Sequence, residues 1–280
     1  MKRLYAYVYT YVPGTCTQKA WTMKKRPPSG CVGLIFGFLG SLRVSAVCVG
    51  ESVSLNHGLH SECNAWVYIY GALGGSKLTV NTPVCETDPC NANCRRVECN
   101  ANNTHIKKIK LQLGDATGTL QPDQWKNFTQ LEEISIGDNP GLRDTPIPPQ
   151  WAALTQLTKL EVTNSKHGTG AAGFLTGVLP PEWERLTKLN TLSLSGQTKV
   201  GGPLPVTWSA MRELSVLNLD KTQVNGTLPA QWSGMAKLKQ LSLKGPGSIE
   251  GSLPPSWGGM EQLRSIIAPN HRLQGSLPVA

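Results

Sequence analysis

The stretch Leu179-Pro180-Pro181-Glu182-Trp183-Glu184-Arg185-Leu186-Thr187-Lys188-Leu189-Asn190-Thr191-Leu192-Ser193-Leu194 holds the pattern on which the reading of this chain turns. It combines a Leu-Pro pair, a tryptophan three places after the first proline, and leucines spaced as LxxLxxLxL. The same unit returns as Leu204-Pro205-Val206-Thr207-Trp208 followed by Met211, Leu214, Leu217 and Leu219. It returns again as Leu228-Pro229-Ala230-Gln231-Trp232 with Met235, Leu238, Leu241 and Leu243. A further copy runs from Leu253-Pro254-Pro255-Ser256-Trp257 through Met260, Leu263 and Ile266 to Ala268.

Working towards the amino terminus, Ile147-Pro148-Pro149-Gln150-Trp151 opens a copy with Leu154, Leu157, Leu160 and Val162. Trp125 opens another with Phe128, Leu131, Ile134 and Ile136, its proline set one place later relative to its leucine (Leu120-Gln121-Pro122). Ile106, Ile109 and Leu111 begin the series. The six tryptophans recur at spacings of 26, 32, 25, 24 and 25 residues. Self-similarity at such a period is the mark of stacked repeats.

The tail of each copy alternates apolar and polar residues, as a short strand with one face on a core does. The Gly-x-Leu-Pro that follows should turn the chain, because proline fixes φ and removes a donor. One unit cannot bury its Leu, Pro and Trp alone, whereas stacked copies bury them against each other. The expected fold is therefore an α/β-type leucine-rich-repeat solenoid, a curved rod with one short parallel strand per repeat. Tryptophans in register with leucines read as core, and Met211, Met235 and Met260 as filler at leucine positions. The longer interval between Trp151 and Trp183 places a glycine-rich loop at Lys166–Phe174.

Four segments follow from composition. Residues 1–22 read as an upstream extension, untranslated if Met23 is the working start. Residues 23–46 read as a signal peptide, with Lys24-Lys25-Arg26 before the mainly apolar run Cys31–Leu42 and Val44-Ser45-Ala46 at the cleavage point. Residues 47–105 form a cysteine-rich N-terminal region and cap, and 106–280 carry six repeats and a partial seventh. In the cap, Trp66–Tyr70 has strand composition and Gly71–Ser76 turn composition. Cleavage after Ala46 would leave six cysteines, Cys48, Cys63, Cys85, Cys90, Cys94 and Cys99. An even set beside a secretory signal points to disulfides, with connectivity that spacing does not reveal. Zinc is the weaker reading, because the cluster lacks a close Cys-x2-Cys pair.

The net charge of +9 comes mostly from seven basic residues within residues 1–46; the remainder carries 20 basic against 18 acidic residues. A nearly neutral body gives no electrostatic basis for binding nucleic acid. No run of 18 apolar residues provides an integral membrane span. No cofactor, metal site or catalytic set is expected. His57, His60, His105, His167 and His271 are scattered, Gly71–Lys77 misses phosphate-loop spacing, and Glu132 and Glu133 point to opposite faces of a strand.

By alternation, the outward residues of the strands are Glu133, Ser135, Lys159, Glu161, Thr191, Ser193, Val216, Asn218, Gln240 and Ser242. They line the expected concave face and are the candidate partner-binding residues. Sequons at Asn102, Asn127 and Asn225 are candidate glycosylation sites.

The GxLPxxW and LxxLxxLxL units resemble the leucine-rich repeats of kinetoplastid (Leishmania-type) parasite surface antigens from about Cys85 to Ala280. The copy length is also similar to that of the plant-specific repeat class, and Val97-Glu98-Cys99 resembles the cysteine cap preceding the parasite repeats. This resemblance implies a non-enzymatic secreted or surface protein that binds a protein or glycan on a host or neighbouring cell. A lipid anchor is expected only if the native chain continues beyond Ala280. A coat or decoy antigen, or the ectodomain of a signalling receptor, are the alternatives. The asparagine usual after each strand appears as Asn139, but Thr222 and Pro246 hold its place later, so an incomplete internal ladder is expected.

Overall fold

The computed structural model describes residues 6–12, 15–21, 57–74, 88–90, 94–111, 116–164, 173–269 and 271–275. Two compact units divide the chain at Ser45/Ala46. In the first, β1 (Ala6–Val12) pairs antiparallel with β2 (Thr15–Trp21). The signal-peptide reading of residues 23–46 falls outside the described residues.

The first described element of the second unit is helix α1 (His57–Ala72). Strands β3 (Val97–Cys99), β4 (Ile106–Leu111), β5 (Thr117–Gly118), β6 (Glu133–Gly137), β7 (Gly141–Leu142), β8 (Thr145–Pro146) and β9 (Lys159–Thr163) follow. The regular repeats supply β10 (Leu175–Val178), β11 (Thr191–Ser193), β12 (Lys199–Pro203), β13 (Val216–Asn218), β14 (Gln223–Thr227), β15 (Gln240–Ser242) and β16 (Ser248–Ser252). Strands β17 (Ser265–Ile267) and β18 (Arg272–Gln274) end the series.

An eight-stranded sheet runs β17-β15-β13-β11-β9-β6-β4-β3, parallel throughout except for the antiparallel β3–β4 pair. The leucine-rich-repeat solenoid is thus the fold. One strand per repeat, however, is too few. A second, six-stranded parallel sheet of order β18-β16-β14-β12-β10-β8 is built from the segments around Gly-x-Leu-Pro. Strands β10, β12, β14 and β16 each bury only one large apolar side chain (Leu175, Val200, Val224 and Ile249) and β8 buries none, which leaves no period-2 signal to read. The glycine takes φ between +81° and +97° at Gly177, Gly202, Gly226, Gly251 and Gly275, where a side chain would be strained.

The prolines start 3-10 turns rather than simple reversals. Pro180 is extended (φ −70°, ψ 122°), and the turn Pro181–Arg185 then places Trp183 in the core. The rings of Trp151, Trp183, Trp208, Trp232 and Trp257 stack with centroids 5.9 to 6.4 Å apart. From Trp183 onward each indole N–H is aimed at the preceding copy: Trp183 donates to Pro148 O (3.0 Å), Trp208 to Pro180 O (2.9 Å), Trp232 to Pro205 O (2.9 Å) and Trp257 to Pro229 O (3.1 Å). Leu-Pro-x-x-Trp therefore links repeats twice, by ring stacking and by a hydrogen bond.

The first copy breaks this register. Its 3-10 turn begins at Pro122 itself, Gln121 takes φ +50°, and Trp125 donates to Leu120 O at 2.6 Å. Trp151 then meets Trp125 edge-on at 66°, and its buried indole N–H has no hydrogen-bond partner among the described residues. The displaced Leu-Pro pair seen in the sequence accounts for both.

The internal ladder is more complete than expected. Asn139 donates through Nδ2 to Leu111 O and Gly137 O (both 2.6 Å), and its Oδ1 accepts Ala116 N–H at 3.2 Å. Gln197, fully buried at the equivalent place, accepts Leu175 N–H (2.9 Å) and donates to Val162 O (3.3 Å). Thr222 donates to Leu219 O at 2.6 Å. His271 accepts Ile249 N–H at Nδ1 (3.1 Å), which leaves Nε2 to donate to Leu243 O (2.6 Å). Different side chains meet the same demand, that a buried backbone group be paired.

Residues 66–70 are helix, not strand. Glu62, Trp66, Ile69 and Leu73 are buried at three- and four-residue spacing, while Tyr68 is exposed. The apolar stripe of α1 covers the first repeat, which overrides the strand preference of its Val, Ile and aromatic residues. Leu73 O accepts Thr117 N–H at 2.8 Å, tying the helix end to β5. Cys90 is bonded to Cys99, and Cys63 and Cys94 are also in disulfides. Cys48 and Cys85 lie outside the described residues, as does most of the Lys166–Phe174 loop; Phe174 is buried.

Glu62 fastens α1 to β4. Its carboxylate accepts Ile106 N–H at 2.6 Å and lies 3.0 Å from His105 Nδ1. Burial pushes this carboxyl above the ordinary range, against the opposing effects of Ile106, His105 and Lys107. A raised folded-state value means that the folded chain binds this proton more tightly than the unfolded chain. Glu62 should therefore add stability as pH falls from neutrality and lose that contribution as pH rises through its folded value. Urea unfolding of His105→Asn and of His105→Asn/Glu62→Gln at pH near 7 and near 5 tests this, with the imidazole removed from both chains. On acidification the single variant, which keeps Glu62, should gain stability relative to the double variant; a pH-independent difference would refute the assignment.

Candidate functional site

The exposed face of the eight-stranded sheet carries two side-chain rows in strict register. One runs Lys108, Glu133, Lys159, Thr191, Val216, Gln240, Ser265; the other runs Lys110, Ser135, Glu161, Ser193, Asn218, Ser242, Ile267. All ten expected contact residues fall in these rows. Ser135, Ser193 and Ser242 are nevertheless buried, because the longer side chains beside such short hydroxyls shield them from solvent. Their place on the outward face does not give them contact area.

The rows divide chemically at β11. On the β3–β9 side, Lys108 Nζ lies 2.8 Å from Glu98, and Lys110 bonds the same carboxylate. Lys159 Nζ lies 3.0 Å from Glu161 and 3.4 Å from Glu133. The Lys108 and Lys110 ammonium groups hold the Glu98 carboxyl below its ordinary range, and Glu161 chiefly raises Lys159. Each charge already has an opposite partner in the chain, so a ligand would have to compete for it. From Thr191 onward the rows contain hydroxyls, amides, Val216 and Ile267 and no ionisable group.

A groove of about 430 Å³ adjoins this neutral half, lined by Asn190, Ser215, Ala236, Lys237, Lys239 and Gln262. Asn190, Ser215 and Lys239 immediately precede β11, β13 and β15, so one repeated position builds the groove floor beside the strand rows. Lys237 is paired with Glu213 at 2.7 Å. The sequence carried a faint signal for the groove, a polar residue before each strand. Alternation alone gave no reason to select it.

The opposite, six-stranded sheet exposes Lys199, Gln223, Asn225, Thr227, Ser248, Glu250, Ser252 and Arg272. Lys199 is paired with Asp144 at 2.6 Å. Of the sequon asparagines, Asn102 and Asn225 are exposed and Asn127 is half-buried. Among the described residues, no three His, Cys, Asp or Glu side chains are grouped to hold a metal ion, and no helix is long and apolar enough to cross a membrane. His105 serves Glu62 and His271 serves the ladder.

No family model and no curated protein matches this chain. Solved structures do. A plant ice-binding protein is similar with a TM-score of 0.65 at 24% identity, over 78% of this chain and 65% of that one. The structure of PEPR1-AtPEP1 is similar with a TM-score of 0.57 at 21% identity, over 78% of this chain and 32% of that one. Pollen Receptor Kinase 3 is similar with a TM-score of 0.52 at 21% identity, over 69% of this chain and 84% of that one. The chain thus spans about two thirds of the ice-binding protein and about a third of PEPR1. At these identities the likeness is one of fold.

Proposed function

We propose that this chain is an extracellular, non-enzymatic recognition protein that binds a protein partner through the neutral half of its eight-stranded sheet and the adjoining groove. The observation that carries this reading is the division of the rows at β11. Charges on the β3–β9 side are mutually satisfied, whereas Thr191, Val216, Asn218, Gln240, Ser265 and Ile267 offer apolar contact and uncharged polar groups on one surface. Burying such a surface costs little charge desolvation. The disulfide-bonded cysteines support an oxidising compartment. The similar structure of PEPR1-AtPEP1 bears two names, which is compatible with a macromolecular partner. Within this reading, the likeness to kinetoplastid surface antigens rests on Trp after Leu-Pro-x-x, and residues 23–46 supply the secretory signal.

The ice-binding property of the plant neighbour does not transfer on these residues. Docking to an ice lattice calls for a regular uncharged array, and the six-stranded face interrupts any such array with Lys199, Glu250 and Arg272.

A photo-crosslinking residue at Gln240 should capture a discrete partner from the extracellular material of the source cells, while one at Glu250 should not. Val216→Arg/Gln240→Arg should lower affinity for that partner by roughly 10- to 100-fold, the range of one or two interface anchors. Lys159→Ala/Glu161→Ala should change it far less, since those charges serve each other. Capture at Glu250 alone, or full binding by the double arginine variant, would move the site off this sheet. No capture at either position would favour a coat protein without a defined ligand.

A further inference from the structure

We infer that Asn225 carries an N-linked glycan and that this glycan screens the six-stranded sheet, leaving the eight-stranded sheet as the docking face. The inference rests on the extracellular reading above and extends it to a modification site. Asn225-Gly226-Thr227 lies in β14, the third of six strands counted from the β18 edge. Residues two apart on a strand project to the same side. Both Asn225 and Thr227 are exposed, whereas Val224 beside them is buried. Asn225 is flanked in register by Pro203 and Ser248, and neither is large enough to overhang it.

The chemistry needs only an accessible carboxamide and a polyprenyl-diphosphate-linked oligosaccharide, the co-reactant of the secretory route. Asn225 Nδ2 attacks the anomeric carbon of the first sugar. A C–N bond forms as the C–O bond to the diphosphate breaks, the lipid diphosphate departs, and the amide nitrogen gives up one proton. No oxidation state changes. A glycan attached here points away from the core and adds no strain to the fold.

Asn127 is unlike Asn225 in each respect. It closes the 3-10 turn Pro122–Asn127, and its Nδ2 donates to Gln124 O at 2.9 Å. The middle residue of its sequon, Phe128, is fully buried with its ring centroid 6.0 Å from that of Trp125. Sugar is transferred before this packing forms, so a chain modified at Asn127 would have to fold around it. Asn102 is exposed in the turn beside Cys99, away from either sheet face.

The test expresses the chain behind a cleavable signal peptide in a eukaryotic secretory line and releases glycans enzymatically in heavy-oxygen water. Peptide mapping should show the oxygen label at Asn225 and none at Asn127. Asn225→Gln should remove one glycan step from the secreted protein, Thr227→Ala should do the same with the asparagine retained, and Asn127→Gln should leave mobility unchanged. An unlabelled Asn225 in secreted protein overturns the inference. Protein from the source organism separates the two levels of the argument. A bare Asn225 with the Cys90–Cys99 bond intact refutes the glycan, whereas reduced Cys90 and Cys99 refute the extracellular reading beneath it.

Discussion

Replacing Trp208 by alanine is expected to destabilise the solenoid by about 3–5 kcal/mol, the range for removing a large buried aromatic side chain. Trp208 is fully buried and stacks on Trp183 at 6.0 Å and on Trp232 at 6.4 Å. Its removal opens a gap in the column and strips contact from both neighbours. The informative comparison is with phenylalanine. Trp208→Phe keeps a ring but loses the N–H bond to Pro180 O, for roughly 1–2 kcal/mol in bond and volume together. Trp151→Phe loses the same volume and no hydrogen bond, because that indole N–H lacks an acceptor among the described residues. It should therefore be milder than Trp208→Phe by about 1 kcal/mol. Urea titrations of the three variants settle the order. Equal costs at the two positions would mean that the inter-repeat N–H bonds contribute nothing.

Asn139→Leu should be comparably severe, at about 3 kcal/mol or more, because it leaves three buried backbone groups without their partner: Leu111 O, Gly137 O and Ala116 N–H. Leucine is close in size and more apolar, so a loss of stability cannot be blamed on a cavity. Thr222→Val serves as the calibrating change. It removes a single bond to Leu219 O and should cost about 1 kcal/mol. If Asn139→Leu proved no worse than Thr222→Val, the ladder would be a passive filler rather than a set of structural bonds.

The repeats were legible because their signal is cumulative. One LxxLxL is ambiguous, but copies in register with Leu-Pro-x-x-Trp leave a single way to bury all the apolar residues at once. The positions of the ladder were legible too, through Asn139. Their occupants were not, since Gln197 carries the same amide on a longer side chain and His271 is of another class. Only the backbone groups they meet reveal the shared role. Helix α1 was misread because Trp66–Tyr70 is a five-residue apolar run, too short for its period to separate helix from strand. The rows of the candidate site were legible by alternation, yet three of their members, Ser135, Ser193 and Ser242, proved buried. Alternation tells which way a side chain points, and its neighbours decide whether solvent reaches it.

By itself the sequence determined the stacked repeats, the burial of Leu, Trp and Met, and which residues occupy the outward rows, because these depend on periodicity along one chain. Tertiary structure decided the second sheet, the hydrogen bonds from tryptophan to the preceding copy, the pairing of Lys159 with Glu133, and the groove before β11, β13 and β15. These arise between residues some 25 positions apart, whose approach is set by the stacking of one coil on the next.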